Sequence, residues 1–175
     1  NVELFGFQKA GVAWLLDKPK AMLIDEMGLG KTLQAITWAS APNKARLPCL
    51  VVTPASIKYN WEREIGRARP KDTVRVLAAG GSWPAPRPDW TIVNYDIVGS
   101  FAKSLAGAGF KTIMLDEAHY IKNLDAERTK QVMALSETIP NHLFITGTPM
   151  LNRPIELFTA LVFVGALQRS DYRNF

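Results

Sequence analysis

Residues Ala21–Ala39, AMLIDEMGLGKTLQAITWA, join a short apolar run to a Gly-X-Gly-Lys-Thr turn and then to apolar residues at helical spacing. Met22, Leu23 and Ile24 have the continuous hydrophobicity of a buried parallel strand, and Leu33, Ile36 and Ala39 recur at three-residue intervals. The stretch predicts a strand, a phosphate loop and a helix, with the loop at the C-terminal edge of a sheet, where α/β proteins bind ligands. Gly28 and Gly30 let the backbone curl so that the amides of Met27, Gly28, Leu29, Gly30 and Lys31 converge on a phosphate, and the helix that follows adds its positive end. In that arrangement Lys31 neutralises β- and γ-phosphates and the Thr32 hydroxyl binds Mg²⁺. The strict pattern G-x-x-x-x-G-K-[ST] has glycine at the position held here by Asp25. The amides that cradle phosphate lie C-terminal to it and are intact.

Composition sets the frame for this loop. The 175 residues suffice for one domain with a full core, and 47% hydrophobic with 21% charged residues describes a soluble chain. No apolar run approaches the roughly 18 residues of a membrane helix, and no signal peptide is expected. Cys49, the single cysteine, sits in an apolar run and reads as a buried thiol; with it and only His119 and His142, a structural metal is not expected. A net charge of +5 and a pI near 9.4 permit a polyanion partner without requiring one. Lys58–Arg75 carries Lys58, Arg63, Arg67, Arg69, Lys71 and Arg75 against Glu62, Glu64 and Asp72, which reads more readily as a solvated helix face than as a nucleic-acid site.

Along the chain, Leu4–Leu16 reads as a helix with Phe7, Gly11, Trp14 and Leu15 on one face, ended by Pro19. Gln8 on that helix is either an exposed polar residue or a reader of the adenine edge. Cys49–Val52 is a second strand ending at Thr53-Pro54. Ser56 is then a plausible N-cap for a helix through about Arg67 with Ile57, Trp61 and Ile65 on its apolar side. Further strands are expected near Thr73–Leu77, Thr91–Val93, Lys111–Leu115 and His142–Ile145, and helices through about Ala106, over Ala126–Ser136 and over Pro154–Val164. The alternation predicts an α/β fold with a mainly parallel sheet covered on both faces.

Three polar clusters fall at strand C-termini: Gly28–Thr32, Asp116-Glu117-Ala118-His119 and Thr146-Gly147-Thr148-Pro149. In a parallel sheet those ends share one edge. An apolar strand ending in Asp-Glu beside a Gly-Lys-Thr loop suits transfer of a phosphoryl group from ATP to water. Asp116 would hold Mg²⁺, directly or through water, and Glu117 would position and deprotonate the attacking water.

The ordered segments FQKAGVAWLL, DEMGLGKTLQAI, LVVTPASIKYNWEREI, IVNYDIV, LDEAHYIKN and LFITGTPMLNRPIELFTAL cover nearly the whole chain. In them the sequence resembles the first RecA-like lobe of the Swi/Snf family of superfamily-2, helicase-like ATPases. Asp25 in DEMGLGKT favours this family over other phosphate-loop proteins, and the compact LNRPIELFTAL segment is similar to its annealing-helicase-like and bacterial members. The resemblance implies that Gln8 contacts adenine, that Lys31, Asp116 and Glu117 serve hydrolysis, and that Thr32 and Asp116 hold the metal. It also implies that Thr53, Pro54, Ser56, Lys58, Asn94 and Tyr95 lie along DNA, and that His119, Thr146, Gly147 and Thr148 couple the two sites. Phe5 and Phe7 stand where the family usually has Arg and Tyr.

The function expected is therefore the first lobe of a DNA-dependent ATPase that translocates on double-stranded DNA, with ATP and Mg²⁺ as cofactors and a second RecA-like lobe completing the site outside residues 1–175. Its location would be the nucleoid-bearing cytoplasm in a bacterium or the nucleus in a eukaryote. Two rival readings are a binding module that keeps the fold without catalysis, and a phosphate-loop kinase or GTPase. Keeping Lys31, Asp116 and Glu117 together speaks against the module. Asn43-Lys44-Ala45-Arg46 lacks the Asp that reads guanine.

Overall fold

The computed structural model describes residues 3–42, 45–121, 123–147 and 155–173. The elements follow the expected alternation: α1 Gly6–Leu16, β1 Lys20–Ile24, α2 Lys31–Ala39, β2 Cys49–Thr53, α3 Lys58–Ala68, β3 Val74–Val76, β4 Trp90–Asn94, α4 Val98–Gly107, β5 Thr112–Asp116, α5 Glu127–Ser136, β6 Asn141–Thr146 and α6 Ile155–Phe163. The six strands form one sheet in the order β1-β6-β5-β2-β4-β3, and every pairing is parallel. Parallel strands need a crossover on a face of the sheet, and these crossovers cover both faces.

Alternation along the central strands divides the core into two layers. Cys49 and Val51, Ile92, Met114, and Leu143 with Ile145 pack on the side that also holds Leu15, Ile36, Trp38, Trp61 and Ile65, from α1, α2 and α3. Leu50 and Val52, Val93, Ile113 with Leu115, and Phe144 face Phe101, Leu105, Val132, Met133 and Phe163, from α4, α5 and α6. Strands β2, β4 and β5 are buried throughout, which is why their sequences are mostly apolar, with polar residues chiefly at the ends. Polar side chains tie helix ends to the sheet. His142 at the start of β6 lies 2.6 Å from the Phe163 carbonyl at the end of α6, and 2.9 and 2.8 Å from those of Ser136, which ends α5, and Ile139 just beyond it. The Trp38 indole donates to Leu15 O at 2.8 Å and the Arg46 guanidinium to Leu16 O at 2.7 Å, tying the last carbonyls of α1 to α2 and to the chain before β2.

Two sequence readings are corrected here. In α1 the buried residues are Gln8, Val12 and Leu15, while Phe7 and Trp14 are 51% and 56% exposed. The helix comes close to α2 at Gly11, where a Cβ would stand 2.4 Å from Gln34 Oε1, and Phe7 and Trp14 on the same face line an open groove with Met22 and Ile24 instead of entering the core. Ser56 is not an N-cap. A 3₁₀ turn, Ala55–Ile57, runs into α3 behind Pro54, and no side chain caps either element. Among the described residues no helix is long and apolar enough to cross a membrane.

Candidate active site

Strand β1 ends beside β6, with Ile24 in register with Thr146, and the chain then loops through Asp25–Gly30 into α2. Gly28 and Gly30 hold φ of 84° and 71°, the left-handed region that glycine adopts without a Cβ penalty. A Cβ at Gly30 would also lie 2.4 Å from Gln8 Nε2. That close fit places Gln8 over the loop, donating to Leu29 O at 3.1 Å and accepting from the Phe5 amide at 3.0 Å. Gln8 is thus buried and engaged with the loop, rather than the exposed residue that its polarity allowed.

Lys31 curls back over the loop that precedes it, its ammonium donating to Asp25 O and Glu26 O, both at 2.8 Å. Gly147, just past β6, closes on the same loop: a Cβ there would stand 3.1 Å from Met27 Cγ and 3.4 Å from Lys31 Nζ. Thr146 is buried at the strand end. Thr148 and the His119 side chain lie outside the described residues, and the His119 backbone belongs to the 3₁₀ turn Ala118–Ile121.

Asp116 is the last residue of β5, two strands from β1, and is 7% exposed. Its Oδ2 accepts from the Trp61 indole at 2.6 Å and from the Thr53 hydroxyl at 3.3 Å, and its Oδ1 accepts from the Glu117 amide at 3.0 Å. The Tyr95 hydroxyl donates to its main-chain carbonyl at 2.9 Å. Glu117 then leaves the strand with φ 48°, the positive value found at no other non-glycine among the described residues. Backbone strain of this kind, of order 1–3 kcal/mol, persists where surrounding structure over-determines it and concentrates at functional sites.

Burial raises the Asp116 carboxyl above its ordinary value, against the lowering pull of the Trp61 donor, and the Glu117 charge adds to the rise. Between the unfolded carboxyl value and this raised folded value the folded chain holds more protons than the unfolded one. Stability from this group therefore falls as pH rises through that window. Unfolding free energies of the Asp116→Asn and unmutated chains, measured by denaturant from about pH 4 to about pH 7, are expected to diverge in favour of Asn as pH rises. A difference that stays flat would mean that Asp116 ionises as an ordinary surface carboxylate.

Phe5, Gln8, the phosphate loop, Asp116 and Glu117 share one cleft of about 590 Å³, within the range that holds a mononucleotide. Its far wall is a face of α3 carrying Asn60, Glu64 and Arg67, with Arg67 paired to Glu64 at 3.2 Å. The oxygen donors suit Mg²⁺. Thr32 offers a hydroxyl and Asp116 a carboxylate whose Oδ1 keeps acceptor capacity, and Mg²⁺ takes few protein ligands alongside phosphate and water.

The residues expected along DNA do not form an exposed row. Thr53, Pro54, Lys58, Asn94 and Tyr95 are buried, and Ser56 alone of the six is exposed. The Lys58 ammonium donates to Leu77 O at 2.8 Å, and burial lowers its pKa. The strand ends turn their hydroxyls inward because Asp116 needs donors, and Lys58 packs over β3. Within the basic stretch, Arg67 is paired with Glu64 and Arg69 with Asp72. Sequence reasoning missed Trp61, taken only as an apolar helix residue; the available signal was that a buried indole N–H requires an acceptor.

Comparison with known proteins adds the following. The model of the SNF2-related domain matches residues 7–175. The chain is 34% identical over 165 residues to the Xenopus laevis SWI/SNF-related matrix-associated actin-dependent regulator of chromatin subfamily A-like protein 1, covering 92% of this chain and 17% of that protein. It is 34% identical over 167 residues to the Mus musculus DNA annealing helicase and endonuclease ZRANB3, covering 90% of this chain and 16% of that protein. The structure of the Sulfolobus solfataricus SWI2/SNF2 ATPase core in complex with dsDNA superposes with a TM-score of 0.85 at 28% identity, over 99% of this chain and 38% of that one. The chain thus spans about a sixth of the two curated relatives' length.

Proposed function

Because the chain belongs to the SNF2-related domain family, we propose that it is the ATP-binding lobe of a DNA-dependent ATPase that moves on double-stranded DNA and hydrolyses ATP once a second lobe closes over the cleft. The observation that carries this reading is the convergence of Lys31, Asp116 and Glu117 on one cleft at the C-terminal edge of the sheet. That the similar archaeal core was solved with dsDNA supports the choice of partner. A place on the chromosome follows from that partner.

Each residue's contribution follows from its position. The phosphate loop and the start of α2 present amides and a helix N-terminus to the phosphates. Lys31 exchanges two neutral carbonyls, Asp25 O and Glu26 O, for charged phosphate oxygens. Bound Mg²⁺ would neutralise charge on the β- and γ-oxygens, and Thr32 and Asp116 are the residues placed to hold it. Glu117, set beside Asp116 by its unusual backbone, accepts the proton of the attacking water. Gly147 and the Thr146 strand end lie against Lys31 and the loop, so a shift at the end of β6 would be felt at the phosphates. Double-stranded DNA would be met by the exposed turn at Ser56 and its main-chain amides, rather than by Lys58.

The test is calorimetric titration of the 175-residue chain with Mg·ATP. Weak binding is expected, and Lys31→Ala should weaken it by roughly 10- to 100-fold, the value of one charge-assisted contact to phosphate. Equal affinity of both chains would remove Lys31 from the site. Absence of any nucleotide binding by the unmutated chain would favour the non-catalytic module.

A further inference from the structure

The hydrogen bonds around Asp116 assign a role to a residue that none of the motif readings uses. A carboxylate oxygen offers two lone-pair sites. Those of Oδ2 are both taken, by Trp61 Nε1 at 2.6 Å and Thr53 Oγ1 at 3.3 Å, whereas Oδ1 receives the Glu117 amide at 3.0 Å and keeps one site. We propose that Trp61 is a positioning residue, which saturates Oδ2 so that Asp116 can meet a divalent cation or its water only through Oδ1.

Several observations support a positioning role over plain packing. The indole is fully buried, in the layer with Val51, Ile65 and Trp90, where low dielectric strengthens a charge-assisted bond. The bond spans 55 residues and links α3 to the end of β5. One turn of α3 therefore sets the carboxylate, while the helix presents Asn60, Glu64 and Arg67 to the cleft. Partners that orient a metal ligand typically affect metal affinity by 10- to 100-fold. Phenylalanine fills most of the same space and donates nothing.

The inference rests on the nucleotide-site reading above, and the test separates the two. ATP affinity of the 175-residue chain is measured calorimetrically with Mg²⁺ and again with a chelator. In Trp61→Phe, the gain in affinity conferred by Mg²⁺ should shrink about tenfold, while metal-free ATP binds within about twofold of the unmutated chain. Equal weakening with and without Mg²⁺ would reduce Trp61 to a packing residue, and no change in either would overturn the proposal outright. A second measurement leaves Trp61 in place. In ¹⁵N-tryptophan-labelled protein, which has five tryptophans, Asp116→Asn should move the Trp61 indole resonance and leave the other four nearly unchanged. An unmoved Trp61 signal would overturn the proposal even if Trp61→Phe failed to fold. If Asp116→Asn itself keeps the full Mg²⁺ effect, the assignment of Asp116 to the metal fails, and the role of Trp61 with it. If the unmutated chain binds ATP no better with Mg²⁺ than without, the nucleotide-site reading is at fault.

Discussion

Replacing Glu117 with glutamine is expected to leave Mg·ATP binding intact and to lower DNA-stimulated hydrolysis roughly 10²- to 10⁴-fold in the protein with its second lobe present, the range that a positioned general base supplies. The amide nearly matches the carboxylate in shape but cannot take a proton from water. The backbone argument makes the substitution clean. The φ of 48° at Glu117 belongs to the chain and not to the side-chain charge, so glutamine should hold the same place beside Asp116. The hydrogen bond from the residue 117 amide to Asp116 Oδ1 also survives, because the donor is main chain. Loss should therefore appear in kcat with KM nearly unchanged, the pattern of an interaction made in the transition state. Phosphate release measured beside nucleotide binding decides the matter: hydrolysis at the unmutated rate would take Glu117 out of the mechanism.

The 175-residue chain by itself should turn over ATP negligibly, with or without duplex DNA. The cleft supplies a loop, an ammonium, a hydroxyl and two carboxylates, groups suited to ground-state phosphates, a cation and water on the proposed reading. Its lining holds one arginine among the described residues, Arg67, and that guanidinium is paired with Glu64 on the same helix. An arginine that stabilises charge on the transferring phosphoryl group contributes roughly 10³- to 10⁵-fold where it has been measured. Without one, a turnover near a typical median of about 10 s⁻¹ falls below easy detection. Joining the second lobe should restore the rate. Brisk, DNA-stimulated turnover by the lone chain that vanishes with Glu117→Gln would show that the first lobe is self-sufficient. If Arg67→Ala abolished the same turnover, the α3 wall would be the source of the missing charge.

Strands β1 to β6 and the loop at Gly28–Thr32 were legible in the sequence because their signals are local. A parallel strand covered on both faces reads as a near-continuous apolar run, and a phosphate loop needs its glycines and lysine in close succession. Placing Lys31, Asp116 and Glu117 at one edge required only the rule that parallel strands end together. What the sequence could not determine was the partner each polar side chain would take. Lys58 is chemically suited to phosphate, yet the fold gives it Leu77 O, 19 residues away. Thr53 and Tyr95 stand at strand ends, the usual place to meet a ligand, yet they turn inward to Asp116 across 63 and 21 residues. Trp61 reads as an ordinary core residue until β5 arrives beside α3. The close approach of α1 to α2, Gly11 against Gln34, is a contact that hydrophobic spacing cannot see. Residue type determines what a group can donate or accept. Only the packed tertiary structure, by removing water and bringing distant segments within 3 Å or so, decides which group answers it.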